Sequence, residues 1–319
     1  MLELDTDIKQ KFEEAAKAMR LRLRQNPSTG VLRDMILNKG IGCFNLCQRF
    51  DHQDLSHIVE KGGVVGVDGS TNSAGGPFPY LLTLQQALAK PCIGEKGDVT
   101  ITDAFSPLTM KASIGEEEYR DFIKRNLACL EVKVALAALE RLSPKLLLLD
   151  GSLVRYKIEA APLWEKLKSR ALAQNTILVG VVEGISTGII SECLKNGLSW
   201  SGYPPSDWEI LFGLLQVGEM LEIAPGIFKE GFRTCFMRSS MDPKPIGIDL
   251  PEEQQGYLNE VANLIFTLTP RDGRGIPLWL DIIDKNVRVS DAVMEGLLST
   301  YLGDDYVEFL KPKRQKREI

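Results

Sequence analysis

Gly63-Val64-Val65-Gly66-Val67-Asp68-Gly69-Ser70 and Lys145-Leu146-Leu147-Leu148-Leu149-Asp150-Gly151-Ser152 decide how the rest of the chain is read. Each is an apolar run of strand length, and both end in Asp-Gly-Ser. A short continuous apolar run bounded by a turn is the pattern of a strand buried on both faces. A carboxylate ending such a strand is held rigidly at the rim of a sheet, and the glycine after it permits close approach of a ligand. Asp-Gly also marks ordinary turns, in which the aspartate only caps its own loop. Recurrence of the pattern after the two most apolar runs sets a ligand-binding role beside that simpler one.

Outward from these runs, residues 6 to 24 predict a helix, closed by the breaker Asn26-Pro27-Ser28-Thr29-Gly30. A second helical stretch is expected over 31 to 60, with an interruption near Gly40 and Gly42. Tyr80 to Leu88 and Asp98 to Phe105 are expected as the second and third strands. Ser113 to Glu116 resembles a capping box opening a long helix to Leu142, whose apolar stripe is Tyr119, Ile123, Leu127, Leu130, Val134 and Ala137. A helix over 158 to 173 and a β-branched fifth strand from Thr176 to Glu183 follow. Three strands, helix, strand, helix, strand is the order of an RNase H-like fold: an α/β protein with a mixed sheet flanked by helices, plus further N- and C-terminal helices. Beyond residue 190 the patterns predict a helix from Trp208 to Glu222, a strand from Phe228 to Ser239, and helices over Leu250 to Leu268 and Pro277 to Leu302. The expected organisation is a helical extension over 1–60, a catalytic unit over 61–310 (core 61–190, completed by 205–302), and a basic tail over 311–319.

A hydrophobic content of 44% and a charged content of 25% over 319 residues are those of a globular protein. No run approaches the roughly 18 apolar residues of a membrane span. The acidic start Met1-Leu2-Glu3-Leu4-Asp5 lacks the layout of a secretory signal, so a cytoplasmic protein without membrane attachment is expected. Six cysteines form no dense framework, which suits a reducing compartment. Cys43, Cys47, His52 and His57 lie close in sequence, but their spacings match no common zinc pattern; the segment reads as an amphipathic helix with two buried thiols. The net charge of −5 does not announce a nucleic-acid binder. Positive charge is nevertheless concentrated in Lys17, Arg20, Arg22 and Arg24 and in the tail Lys311-Pro312-Lys313-Arg314-Gln315-Lys316-Arg317.

In an RNase H-like sheet the first and fourth strands are neighbours, which brings Asp68 and Asp150 together. Two carboxylates at one sheet edge repel unless a cation intervenes, and oxygen donors suit Mg2+ or Mn2+. Two such ions about 3.5–4 Å apart can activate a water and stabilise the departing oxygen in phosphodiester cleavage. A third carboxylate is expected from the long helix. Glu131 and Glu140 lie on opposite flanks of its stripe, and periodicity does not choose between them.

Gly66-Val67-Asp68-Gly69-Ser70, Leu130-Glu131 within a helix, Leu147-Leu148-Leu149-Asp150-Gly151-Ser152-Leu153, and Pro277-Leu278 through Ser290-Asp291 together resemble the NurA nuclease family, over roughly residues 60 to 302. The resemblance implies a Mn2+- or Mg2+-dependent DNA exonuclease (5′ to 3′) and endonuclease. It further implies a homodimer that works with a hexameric HerA-type ATPase on DNA ends in recombinational repair. By position it makes Asp68, Glu131 and Asp150 metal ligands. The chain departs from the family in carrying Glu183 where a basic residue usually follows the fifth strand. It also lacks the late histidine, its only histidines being His52 and His57. Asp284 occupies that frame in Asp284-Lys285-Asn286-Val287-Arg288-Val289-Ser290-Asp291 and is expected as the fourth catalytic and metal-binding residue, with Asp281, on the same helix face, as the fallback. For self-association the expected face is Trp208, Leu211, Phe212, Leu215 and Met220. Two other functions compete: a catalytically degenerate dimeric adaptor for the ATPase, and an ATP-binding protein of the actin and sugar-kinase type. Asp68-Gly69-Ser70-Thr71-Asn72-Ser73 resembles the first phosphate loop of the latter, without its residue between Asp and Gly.

Overall fold

The computed structural model describes residues 6–23, 26–92, 97–111, 113–198, 200, 203–227 and 231–306. The chain opens with helices α1 (Thr6–Leu23) and α2 (Thr29–Asn38), strand β1 (Gly42–Leu46) and helix α3 (His52–Glu60). Strands β2 (Val64–Gly75), β3 (Leu81–Pro91) and β4 (Val99–Phe105) lead to the long helix α4 (Glu116–Leu142). Then come β5 (Leu146–Asp150), α5 (Leu153–Glu159), α6 (Ala161–Ala173) and β6 (Ile177–Val182). Short helices α7 (Ile189–Leu194) and α8 (Asp207–Leu211) precede β7 (Glu219–Ile223), β8 (Phe232–Met237) and β9 (Ile246–Pro251). Helices α9 (Leu258–Leu268), α10 (Leu278–Val287) and α11 (Asp291–Leu302) complete the described chain.

All nine strands form one sheet in the order β1-β7-β8-β9-β6-β5-β2-β3-β4. β2, β3 and β4 form an antiparallel meander, and β5 lies parallel to β2 with β6 parallel to β5. Each parallel step needs a crossover, and α4 and the α5–α6 pair supply them. This is the RNase H-like mixed sheet that the element order predicts, extended beyond β6 by the antiparallel strands β9, β8, β7 and β1.

The central strands are apolar throughout because both sheet faces are covered. Val65, Val67, Leu147, Leu149 and Leu178 pack into a core with α4 and α6. Val64, Leu146, Leu148, Val179 and Val181 pack on the opposite face against α9 and α10. A third cluster joins Leu32 and Ile36 of α2 to Leu211, Leu221 and Phe236.

Several expected elements differ. The stretch from 31 to 60 is two helices with β1 between them. Gly42 pairs with Ile223 so closely that an added Cβ would lie 2.2 Å from the Glu222 carbonyl oxygen. The pairing is long-range and β1 has no β-branched residue, so no local signal marked it. The helix expected from Trp208 to Glu222 is one turn and a half followed by a strand. Leu211, Leu215 and Met220 are buried within the molecule, leaving Trp208 and Phe212 as its exposed members. Residues 246–251, partly assigned to a helix, form β9 against β6 and β8. Helix α4 starts at Glu116, where the Glu118 carboxylate accepts the Gly115 amide at 3.0 Å; the Ser113 box does not form its start. Cys43 is exposed on β1, and Cys47 contacts Met237 with sulfurs 3.6 Å apart. Arg24 and the basic tail lie outside the described residues.

Candidate active site

The parallel register pairs Val67 with Leu149, so the next residues, Asp68 and Asp150, stand at one level on neighbouring strands. Strand side chains alternate between faces. Because Val67 and Leu149 point to the α4 core, Asp68 and Asp150 turn toward the α10 face. Helix α10 comes close over Gly66, where an added Cβ would meet Ile283 Cδ1 at 2.2 Å. Leu280, Ile283 and Val287 anchor this helix, and Asp284 is exposed beside them.

Gly69 faces the other way. A Cβ there would sit 2.6 Å from Oε1 of Glu131 on α4, so the glycine after Asp68 makes room for a protein carboxylate. Gly151 adopts φ +110°, a conformation that suits glycine, and its amide donates to the Val181 carbonyl at 2.8 Å. The second Asp-Gly thus turns the chain sharply from β5 into α5, where the Ser152 hydroxyl caps the helix.

The carboxylates strain against one another electrostatically. Burial, followed by the charge of Asp150, pushes Asp68 up to about 7, against the Gly69 amide that donates to it at 2.7 Å; Asp284 raises it further. Burial also lifts Asp150 to about 6, against the nearby Arg274, with Asp284 and Glu183 adding repulsion. Glu131 is 1% exposed. Burial pushes it up to about 8, opposed by the Arg155 guanidinium, while Asp68 and Asp150 raise it and the Tyr156 hydroxyl bonds to it. Arg155 Nη2 pairs directly with Glu131.

Of the two α4 candidates, Glu140 pairs with Arg170 at the solvent side, and Glu131 lies by the aspartates. On α10, Asp281 is engaged by Arg274, with Nε at 2.9 Å and Nη2 at 2.5 Å, and the same guanidinium reaches Glu183 at 3.0 Å. Asp284 instead acts on both Asp68 and Asp150 through its charge. Sequence patterns did not point to Arg155, Tyr156 or Arg274. One signal existed for Arg155: it sits in the first turn of α5, three residues after the N-cap Ser152, where the helix dipole disfavours a cation. Arg274 lies in a loop without periodicity.

This donor set fits a hard divalent cation in its chemistry. It consists of carboxylate oxygens whose mutual repulsion a positive ion would relieve. Among the described residues, no three His, Cys, Asp or Glu side chains are gathered closely enough to hold one ion. Alternation accounts for this, since Asp68 and Asp150 face α10 while Glu131 approaches past Gly69 from the α4 side, tied to Arg155.

The sequence matches the NurA domain over residues 62–289, well over half of the chain, and the protein belongs to the NurA family. No curated protein matches it. Solved structures to which it is similar include endonuclease V of Bacillus subtilis, at 12% identity and a TM-score of 0.39, covering 87% of this chain and 96% of that one. Endonuclease V of Ciona intestinalis, in complex with DNA containing an inosine followed by a ribo-adenosine, is 15% identical with a TM-score of 0.37, covering 86% and 97%. Aquifex aeolicus Argonaute is 11% identical with a TM-score of 0.30, covering 70% of this chain and 28% of that one. Family membership supports a nuclease-type function for a chain of RNase H-like fold. Among the described residues, no helix is long and apolar enough to cross a membrane.

Proposed function

We propose that the protein is a divalent-metal-dependent deoxyribonuclease, hydrolysing phosphodiesters at single- and double-stranded DNA ends by exonuclease and endonuclease cleavage. The supporting observation is the juxtaposition of Asp68 and Asp150 on parallel strands, with Glu131 and Asp284 close enough to raise their proton affinities. Asp68, Asp150 and Asp284, with Glu131, would hold Mn2+ or Mg2+, which supplies an activated water and charge stabilisation for the departing oxygen. The Gly69 amide fixes the direction of the Asp68 carboxylate. Arg155 and Tyr156 orient Glu131. Arg274, held by Asp281 and Glu183 near Asp150, sets a guanidinium where a phosphate oxygen would approach. The biological setting is recombinational repair in the cytoplasm, as a homodimer partnered by a HerA-type ATPase. The tail Lys311 to Arg317 adds salt-sensitive phosphate affinity.

A manganese titration of cleavage on both kinds of DNA end tests this function. Metal-dependent cleavage that disappears in Asp68→Asn supports it, and metal-independent or absent cleavage refutes it. The ion pair between Glu131 and Arg155 favours a second function, a degenerate adaptor in which that carboxylate is committed to structure. An adaptor would stimulate the ATPase without cutting DNA.

A further inference from the structure

A cleft of about 390 Å³ opens between the start of α5, the loop after β6 and strands β8 and β9. Its lining includes Ser152, Arg155, Val182, Ile185, Thr187 and Thr234. Ligand clefts run at roughly 300–1,000 Å³, so this one suits a single small group and not a length of strand.

Its chemistry narrows the occupant. Most of the wall is apolar, and the polar groups are paired in a particular way. The Ser152 and Thr234 hydroxyls both donate to the buried Asp249, at 2.9 and 2.7 Å. Their protons are committed, so their oxygens face a ligand as acceptors. Arg155 offers the complementary donor. Its Nε is buried without a hydrogen bond, the Glu159 carboxylate lying 3.6 Å away. A buried guanidinium N–H left unmade is costly and calls for a partner.

Arg155 also joins the cleft to the carboxylates. Its Nη2 holds Glu131, and its charge acts on Asp68 and Asp150. A group in the cleft is therefore covalently close to any phosphate lying at the aspartates. We propose that the cleft binds one nucleoside of the DNA strand, the one adjoining the phosphodiester to be cut, with its base against the apolar wall and Arg155 Nε on its sugar–phosphate edge. This subsite rests on the nuclease function proposed above. Hydroxyl acceptors and an apolar wall contact any base without reading a sequence, which suits the processing of arbitrary ends.

Single-stranded oligonucleotides carrying 2-aminopurine at one terminal position or the other provide the probe, bound to the full chain with metal chelated. Fluorescence reports base unstacking, and anisotropy of a remote dye reports binding. At one of the two positions the fluorescence should rise on saturation. Gly184→Trp fills the cleft, and an added Cβ there meets nothing within 4 Å, so the variant keeps the fold. It should abolish the rise and weaken binding about tenfold. Ser186→Trp, on the same wall, should do likewise. An abasic residue at that position should bind both variants and the unaltered protein alike. DNA that binds, and is cut on adding manganese, with no rise at either end overturns the subsite alone. So does a variant that weakens abasic and normal strands equally. Failure to bind or cut any DNA overturns the subsite together with the nuclease function.

Discussion

Asp68 and Asp150 on one side, and Asp207 and Asp249 on the other, are aspartates withdrawn from water in the same sheet protein, with opposite surroundings. Asp207 is fully buried and accepts the Ile189 and Ile190 amides at 3.1 and 2.8 Å and the Thr187 hydroxyl at 2.6 Å. Asp249, equally buried, accepts two hydroxyls. These carboxylates are completed by donors and hold loops and strands together. Asp68 and Asp150 are less buried, yet receive mostly repulsion from their neighbours. Burial alone does not mark a site. Carboxylates left with too few donors and too many like charges do, because only a bound cation can satisfy them.

The sharpest way to break this contrast is substitution on both sides. Asp68→Asn or Asp150→Asn should lower manganese-dependent cleavage on the order of 10²–10³-fold, the loss typical when a charge-stabilising group is removed. Neither should unfold the protein, as followed by circular dichroism. Asp207→Ala should do the reverse: it strands two amides and a hydroxyl, costing about 3 kcal/mol in urea unfolding, while cleavage per folded molecule stays near normal. If Asp207→Ala abolished cleavage at unchanged stability, the division between structural and site carboxylates would collapse.

Within the site, α10 offers a finer comparison. Asp284→Ala should lose about tenfold in activity at low manganese, with partial recovery as metal is raised. Asp281→Ala should stay nearer normal, because its partner Arg274 keeps Glu183. The opposite order would transfer the ligand to Asp281.

The smallest expected effect is on stability against pH without metal. Folding raises Asp68 from 3.8 to about 7 and Asp150 from 3.8 to about 6. Folded carboxyls then bind protons more tightly than unfolded ones, so this contribution is full below about pH 4 and is lost as pH rises through 6 to 7. Between pH 5 and 8.5 the metal-free melting temperature should therefore fall by a few degrees. Asp68→Asn should flatten the fall, and saturating manganese should remove it. A melting temperature that rises over this range without metal would mean that the aspartates are compensated by groups other than a cation.

Much of the fold was legible because its central strands announce themselves. Leu146 to Leu149 and Val64 to Val67 are apolar at every position, as only strands covered on both faces can be. The two Asp-Gly turns follow directly, and with them the aspartates. Legibility failed at the sheet margin. β1 lacks alternation and exists because β7 is there to pair with it, and Met220 reads as helix when its neighbours Leu211 and Leu215 are counted with it.

The choice among flanking residues shows the same division. By itself the chain determined which segments are strands, where two carboxylates end them, and that a glutamate from α4 and an aspartate from α10 were available. Local composition and periodicity carry that much, since they reflect which faces must be hidden from water. Tertiary structure alone decided that Glu131 and not Glu140 approaches the aspartates, through the gap left by Gly69. It also decided that Arg274 takes Asp281 and leaves Asp284 acting on Asp68 and Asp150. It brought Arg155 of α5 onto Glu131 of α4, with one N–H left over a cleft. Charge acts through space, so residues far apart in sequence set each other's state only once the chain has closed around them.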